Sequence, residues 1–380
     1  MLCISIGWRP FGLALLALRS LGYRADGDQG LPWHSPTLVG MIAMMSCNRP
    51  EHLRLSFKVA TALRGTVFWL VVFPALLSAQ GLGREALAVF PADTQQLAYL
   101  NLAQLRSMPE YPQIRQRLLN RQLRDFQDFL RSAGTDPDKD VDEVVLGWRG
   151  EALGGAGSFG RAEGRFDPER IHKFFAQQQL PTRQYAGLEF YAFGSGEDPA
   201  DVFFAFLNSS SAAFGRLRDL KEMLDVRAGT RPALDTNAAI VEWEAELEGS
   251  APQWGVATGK AAANAAGPWL AAGGKTLADP GVMFGLVRAV LYRVDWGSGV
   301  AAHVSIVCQN SETAVALSAL LAAWRDARPA SGTDQAPAAV SAFLQGLGIQ
   351  ASGSRLELTA SGPMEAVDQI LRGSMGGGGQ

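Results

Sequence analysis

The chain has 380 residues, with 34 basic and 37 acidic side chains, a net charge of −3 and an apolar content of 47%. These values are typical of a folded globular protein and exclude a disordered chain. Residues 1–79 carry seven basic and three acidic residues, so residues 80–380 hold 27 basic and 34 acidic residues, a net of −7. That acidic balance argues against a nucleic-acid-binding protein.

The first distinctive element is an uncharged run of thirteen residues from Thr66 to Ser78. Arg64 precedes it, and Ala79-Gln80-Gly81 follows with the small-x-small pattern of a cleavage site. A membrane-spanning helix needs about 20 apolar residues, whereas a run of about 10–14 fits the core of a signal peptide. The sequence therefore predicts an exported protein with a signal peptide at 41–81. An uncleaved membrane anchor and a buried core helix are the alternatives.

Residues 1–40 lie further upstream than a signal peptide requires. A start at Met41, Met44 or Met45 gives a signal of ordinary length, so residues 1–40 are predicted to be an extension outside the native protein or disordered. Beyond the predicted cut Cys308 is the only cysteine, which excludes an intramolecular disulfide in the mature form. Its apolar neighbours predict that it is buried.

The segment 82–250 is predicted to alternate strands and amphipathic helices. Asp167 followed by Pro168 is typical of a helix start, because Asp caps free backbone N–H groups and Pro fits the first turn. Apolar residues at helical spacing predict a longer, basic helix that ends at Gly134. The predicted strands lie at 97–102, 141–148, 157–167, 185–193 and 201–208, and a serine-capped helix at 209–229.

The segment 251–372 has a similar layout. A hairpin is predicted at 288–308, because two apolar alternating runs flank a glycine-containing turn. Further elements are predicted as helices at 311–328, 339–348 and 363–371 and a strand at 354–360, before a disordered glycine-rich tail at 373–380. Strands occur in pairs followed by helices, which favours an α+β fold with mainly antiparallel sheets, amphipathic helices packed on them and two related halves.

Two charged segments supply candidate binding residues. If residues 241–248 form a strand, four glutamates lie on one face, which is either solvated or binds a cationic partner. These candidates are Glu242, Glu244, Glu246 and Glu248. The basic helix is either a solvated amphipathic helix or a surface for an acidic partner or anionic lipid. Its candidates are Arg117, Arg121 and Arg124.

Metal and cofactor motifs are poorly matched. Asp136, Asp138 and Asp140 have the spacing of the first calcium-loop ligands, yet Val141 and Gly147 stand where that loop needs Gly and Glu. A charged turn is favoured, with a weak calcium site as the alternative. The glycine motif at 155–160 leads into a predicted strand, not into the helix that a dinucleotide site requires. The sequence predicts no metal and no cofactor.

Several short strings carry a resemblance to a protein group. The strings at 90–105, 134–148, 164–175 and 308–324 resemble a loose group of exported bacterial proteins of unknown function, which pair strand–helix units behind a signal peptide. The resemblance implies export and the α+β layout. It brings no activity and no functional residues.

Catalytic signatures are weak in the predicted mature chain. His172 and His303 have no second ligand at zinc spacing and no serine elbow, which favours structural roles. The sequence favours an exported, non-catalytic cell-envelope protein, either a periplasmic binding protein or an accessory subunit of a membrane complex. An exported hydrolase that uses carboxylates is the alternative. A protein partner in the envelope or membrane is predicted, with the chain in the periplasm or on the outer side of the inner membrane.

Overall fold

The computed structural model of the chain describes residues 81–109, 111–112, 115, 121–149, 158–270, 285–297, 299–327 and 346–364. The predicted extension at 1–40, the tail at 373–380 and all of the predicted signal peptide except Gly81 lie outside the described residues. The described residues belong to one compact unit. Among them, no helix combines the length and the apolar character needed to span a bilayer.

The described part of the chain contains both strands and helices in alternation. The strands are β1 (Gln96–Asn101), β2 (Val141–Trp148), β3 (Ser158–Gly164), β4 (Thr182–Tyr185), β5 (Leu188–Phe193), β6 (Val202–Phe206), β7 (Ser211–Arg216), β8 (Gln253–Thr258), β9 (Val287–Trp296), β10 (Val300–Cys308), β11 (Gly348–Ser352) and β12 (Arg355–Gly362). The helices are α1 (Leu82–Leu87), α2 (Leu102–Arg106), α3 (Arg121–Ala133), α4 (Pro137–Asp140), α5 (Pro168–Gln177), α6 (Leu217–Arg227), α7 (Ala238–Leu247), α8 (Gly259–Leu270) and α9 (Ser311–Ala327).

All the described strands join one antiparallel sheet in the order β11-β12-β10-β9-β8-β1-β2-β3-β7-β6-β5-β4. The predicted α+β class with antiparallel pairing is therefore confirmed. The strands of the segments 82–250 and 251–372 lie on opposite sides of the β1–β8 junction. The two segments thus share a single sheet.

The sheet repeats one strand order on each side of that junction. β1 and β8 pair symmetrically around Ala98 and Gly255, which lie opposite each other. Gln96 lies opposite Ala257 on one side of this centre, and Gln253 lies opposite Leu100 on the other. On each side the central strand leads into a helix, then a hairpin (β2–β3 or β9–β10), another helix and a final strand pair (β6–β7 or β11–β12). The first segment adds the hairpin β4–β5 at its edge.

Helices cover both faces of the sheet. Because side chains alternate along each strand, Val304 and Ile306 of β10 face one side and Ser305 and Val307 face the other. The first face packs under α2, α3, α5, α8 and α9, and the second under α1, α6 and α7. The core of the second face contains residues from both segments, including Phe90 and Leu291.

Several sequence predictions are confirmed by local chemistry. The Asp167 side chain accepts a hydrogen bond from Arg170 N at 3.0 Å and caps α5. Gly134 ends α3 with φ +104°, a left-handed conformation that favours glycine. The strand predicted at 141–148 has those limits, and the hairpin predicted at 288–308 forms as β9 and β10.

The strand predicted at 185–193 is wrong in part, because the chain turns back inside it. Tyr185 pairs with Leu188 across a two-residue turn. Ala186 and Gly187 both have positive φ, +48° and +77°, as the mirror-image turns of tight hairpins require. The usual signal for such a turn is Asn-Gly or Asp-Gly, so Ala-Gly gave little indication of it.

The helix predicted at 209–229 begins too early. Ser211–Arg216 form β7, which lies between β3 and β6, and the helix α6 starts only at Leu217. Pairing on both edges outweighs the helical preference of the alanines in this strand. The helices predicted at 339–348 and 363–371 lie mainly outside the described residues, and the sequence prediction did not include the edge strand β11.

Candidate functional site

The glutamate segment 241–248 forms a helix and not a strand, so the face that would carry all four glutamates on a strand does not exist. Asn237 caps α7, and buried Ile240, Trp243 and Leu247 recur at helical spacing. Glu and Ala favour helices, and the apolar residues fit a helix as well as they fit a strand. As a result the four glutamates point in different directions.

Three of the four glutamates are exposed, and Glu246 binds an arginine of the sheet. Glu246 accepts from both Nη atoms of Arg355, at 2.5 and 2.7 Å, in a bidentate ion pair. The Arg355 guanidinium also lies 5.1 Å from the centre of the Trp243 ring. This hydrogen bond raises the pKa of Arg355. The pair therefore fastens α7 to β12.

Glu244 is the buried member of the set, with no exposed surface. Neither of its carboxyl oxygens makes a hydrogen bond within the described structure, and Arg84 Nη1 approaches no closer than 3.6 Å. Burial, together with the charge of Glu248, raises the pKa of Glu244 to about 7. This carboxyl group can therefore hold a proton near neutral pH.

The start of α1 packs against Glu244 and two further carboxylates. A Cβ on Gly83 would lie 3.1 Å from Glu244 Oε1, and a Cβ on Gly81 would lie 2.7 Å from Glu248 Oε1. The backbone N–H of Leu82 donates to Glu143, which comes from β2. We name Glu143, Glu244 and Glu248 the α1 carboxylates.

Tyr99 connects the α1 carboxylates to the sheet. Its ring stacks on Trp254 at 5.3 Å, and its hydroxyl group is hydrogen-bonded to Glu143. Burial and the charge of Glu143 raise the pKa of Tyr99. Burial also raises the pKa of Glu143, although the hydrogen bonds from Tyr99 and Leu82 act in the opposite direction. Both groups are thus held in a partly desolvated site.

A second group of polar side chains lies on the same sheet face, across β9, β10 and β12. His303 Nε2 lies 2.5 Å from Glu357 Oε2, and Ser305 Oγ donates to Glu357 Oε1 at 2.9 Å. Arg293 Nη2 lies 3.1 Å from His303 Nδ1. Burial would raise the pKa of Glu357, but the hydrogen bonds from His303 and Ser305 outweigh it and lower the pKa. Glu357 is therefore ionised at neutral pH.

This polar group belongs to a larger exposed surface. Register places Arg293, His303 and Thr359 in one row across three strands, with Asp295, Ala301 and Ser361 in the next row. All of these except the partly buried His303 are exposed. We name the surface the open polar face, and its members are Arg293, Asp295, Ala301, His303, Glu357, Thr359 and Ser361.

An arginine-centred network lies on the same side of the sheet. Arg149 follows β2 and pairs with Glu222 and, at 3.1 Å, with buried Asp219. Arg231 adds an ion pair to Glu222 at 2.9 Å, and the Arg149 guanidinium lies 5.4 Å from the Phe159 ring centre. Burial raises the pKa of Asp219, and Arg149 is the largest opposing influence. We name Arg149, Asp219, Glu222 and Arg231 the Arg149 network.

The three aspartates of the calcium hypothesis are occupied by other contacts. Asp136 caps α4 and pairs with Lys139 at 3.1 Å, and Asp138 binds Arg131 at 2.7 Å and also Arg115. Asp140 Oδ2 accepts from the backbone N–H of Asp136 at 2.6 Å. In the part of the chain that the structure describes, no group of three or more acidic, His or Cys side chains is arranged to hold a metal ion.

The basic-helix candidates are only partly described. Arg117 lies outside the described residues, and Arg121 begins α3 without a described side chain. Arg124 is exposed on α3. α3 covers the sheet face opposite to α7, so Arg124 does not lie beside the glutamates of α7.

Sequence reasoning missed most of the residues in both polar sites. Glu143, Tyr99, Arg293, Ser305 and Glu357 come from separate strands, and only the strand register brings them together. The one available signal was polar residues at alternate positions of predicted strands.

Comparisons with known proteins give little more. No family model matches the sequence, and no curated protein matches it. Two crystal forms of TP0453 are similar in structure. Form I has a TM-score of 0.46 at 12% identity, over 76% of this chain and 97% of that chain. Form III has a TM-score of 0.43 at 11% identity, over 76% of this chain and 98% of that chain. These likenesses carry no functional assignment.

Proposed function

We propose that the protein is an exported, non-catalytic protein of the cell envelope, a periplasmic binding protein or an accessory subunit. It binds a protein partner through the open polar face. The observation that carries the proposal is the row of Arg293, His303 and Thr359, which lie opposite one another on three neighbouring strands, with Arg293 and Thr359 exposed. The basic, apolar and small segments before residue 82 support export.

The hydrogen bonds of this face favour binding over catalysis. Ser305 is 6% exposed, so its hydroxyl group is shielded from a substrate, and its hydrogen bond goes to Glu357, which also holds His303. Glu357 accepts from both neighbours and stays ionised. Such an array holds fixed charges in place, which suits recognition.

The shape and charge of the face favour a protein partner. Small ligands bind mostly in concave, largely apolar sites, whereas this face is one side of an antiparallel sheet. It presents Arg293 and His303 beside Asp295 and Glu357, so both signs of charge are available. Mixed charges of this kind set register and specificity at protein interfaces.

Site-specific photo-crosslinking in the source cells tests this function. A photoreactive amino acid at Thr359, on the open polar face, is expected to give a discrete adduct in the envelope fraction. The matched control is the same residue at Glu312, which is exposed on α9 on the opposite side of the sheet. Equal labelling at both positions, or no adduct from Thr359, Ser361 and Asp295 alike, would contradict the proposal.

An exported carboxylate-dependent hydrolase is the second candidate, and Glu244 is the observation that favours it. A carboxyl group with a pKa of about 7 can act as a general acid. Its complete burial separates it from any substrate, which is why we place this candidate second. Turnover of chromogenic glycosides or esters by the native protein, lost in Glu244→Gln and retained in Glu242→Gln, would favour the enzyme.

A further inference from the structure

The α1 carboxylates lie along the first residues of α1. Leu82 N–H donates to Glu143, and Glu248 lies beside Gly81. Glu244 faces Gly83 from a fully buried position with neither oxygen in a hydrogen bond. Three carboxyl groups thus converge on one short stretch of backbone.

Few cations contact the α1 carboxylates directly, and Arg161 of β3 is instead paired with Glu85 and Glu163. Within the described residues, the ion pair of the α1 carboxylates is that of Glu244 with Arg84, at 3.6 Å, and the Arg84 side chain is 43% exposed. The buried Glu244 carboxyl is therefore poorly compensated, since a partner beyond hydrogen-bond length and half in water contributes little. A further cation at the start of α1 would complete the site.

The sequence places a cleavage pattern at this position. Ala79-Gln80-Gly81 ends the predicted signal peptide, and Leu82 is the first residue of α1 and 3% exposed. Hydrolysis of the Gly81–Leu82 peptide bond adds OH from water to the Gly81 carbonyl carbon and hydrogen to the Leu82 nitrogen. That amine then takes up a proton from solvent and becomes an α-ammonium group.

We propose that the chain is cut between Gly81 and Leu82 and that Glu143, with Glu248 beside it, binds the α-ammonium group of Leu82. This inference rests on the proposed export, because a signal peptidase supplies the cut. The ammonium group keeps the hydrogen bond that Leu82 N already makes to Glu143 and adds a charge to it. The contact thereby becomes an ion pair, and opposite charges attract more strongly in a partly desolvated site than in water.

Cleavage also removes a helix cap. In the uncut chain the Gly81 carbonyl oxygen accepts from Arg84 N at 2.9 Å and from Glu85 N at 3.3 Å. A positive charge at a helix N-terminus is ordinarily unfavourable. A bare ammonium group should therefore destabilise α1, unless the α1 carboxylates bind it. A free amine that stabilises the folded protein would therefore indicate that the carboxylates bind it, and one that destabilises the protein would indicate that they do not.

The test compares two forms of the chain beginning at Leu82, released from a fusion by a protease that leaves no extra residue. One form keeps a free α-amine, and the other is acetylated at that amine only. The acetyl group supplies a carbonyl oxygen where Gly81 supplied one, but it removes the charge. We expect the free-amine form to melt at least about 2 °C higher at pH 7.

The pH dependence of this advantage reports the amine directly. The α-ammonium faces Glu143 and Glu248, with Glu244, Tyr99 and Arg84 nearby. Carboxylates raise its pKa in the folded protein above the ordinary value of about 7.7–8.0. The advantage is therefore complete below about pH 8 and is lost as the pH rises through the folded value. This readout requires no substitution in the site.

Two substitutions identify the carboxylate that binds the α-ammonium group of Leu82. Glu143→Gln should abolish the advantage of the free amine, and Glu312→Gln, an exposed carboxylate on α9, should leave it intact. An acetylated form that melts at the same temperature or higher at pH 7, or an advantage unchanged in Glu143→Gln, would overturn the binding of the ammonium group. A native protein that begins at Gln80 would instead overturn the cut before Leu82 and leave export intact, and one that retains residues 45–79 would overturn the cleavage altogether.

Discussion

The Arg149 network and the α1 carboxylates lie on one sheet face, and they differ in how a buried carboxylate is compensated. Each places a buried helix carboxylate against the sheet: Asp219 of α6 is 2% exposed and Glu244 of α7 is fully buried. Asp219 has Arg149 Nη2 at 3.1 Å, and that arginine is itself largely buried. Glu244 has only the half-exposed Arg84, at 3.6 Å. The first region pairs its buried carboxylate with a buried arginine, although Asp219 Oδ2 and Arg149 Nε make no hydrogen bond, whereas the second has only a distant, half-exposed cation.

The largest expected effect comes from removing the central cation of the Arg149 network. Arg149→Ala should destabilise the fold by about 3–5 kcal/mol, because Asp219 and Glu222 stay buried without their central partner. Chemical denaturation at pH 7 measures the loss. Arg84→Ala is the matched variant and should cost about 0–1 kcal/mol, since the pair with Glu244 is long and the Arg84 side chain is half exposed. Equal losses would remove the distinction between the regions.

The next effect is pH-dependent and concerns Glu244. Its pKa is about 7 in the folded protein against an ordinary 4.5, so the native state binds the extra proton. In the form acetylated at Leu82, which lacks the α-ammonium group, stability should therefore fall as the pH rises from about 4.5 to 7, by up to about 3 kcal/mol, and then level off. Glu244→Gln should remove this fall and make the protein more stable than the wild type at pH 8.

Two controls sharpen that result. Glu242→Gln alters an exposed glutamate of the same helix and should leave the pH profile unchanged. Asp219→Asn should lower stability at pH 8, since it breaks the pair with Arg149. A Glu244→Gln variant that is also less stable at pH 8 would mean that Glu244 is compensated as fully as Asp219.

A smaller effect is expected at the contact that holds α7 over the sheet. Arg355→Met removes the bidentate pair with Glu246 and the contact with the Trp243 ring. The expected loss is about 1 kcal/mol, measured by thermal unfolding at low salt. Arg288→Met, at an exposed position of β9, should change stability by less than about 0.5 kcal/mol. If the two variants behave alike, the Arg355 contact does not fasten α7.

The smallest effect concerns the aspartates at 136–140, whose carboxylates are paired with cations or hydrogen-bonded to the backbone. Asp136→Ala should cost about 1 kcal/mol through the loss of the cap of α4. Millimolar calcium should leave the melting temperature of the wild type unchanged, because Arg131 and Lys139 already occupy these carboxylates. A rise in melting temperature with calcium, absent in Asp136→Ala, would contradict this assignment.

Local chemistry made much of the fold predictable. The alternation at 141–148, the Asp167-Pro168 helix start and the paired runs at 288–308 each depend on neighbouring residues, and the structure confirms them. The errors arose where distant contacts decide. β7 is a strand because β3 and β6 pair with it, and α7 is a helix although its apolar residues fit both periods.

The candidate sites were less predictable for the same reason. The glutamates of α7 were identified by their charge, yet the role of each one depends on the direction in which the helix points its side chain. Glu143 and Tyr99 approach Leu82 only because β1 and β2 pair in one register. A single sequence contains no direct signal for such register, so the α1 carboxylates could not be assembled from it.

Intact-mass analysis with N-terminal sequencing of the native protein, after separation of soluble and membrane fractions of the source cells, tests the central claim most directly. We predict a protein of the envelope fraction whose first residue is Leu82. A species that retains residues 45–79 would contradict it, because the α1 carboxylates would then face an uncut peptide bond.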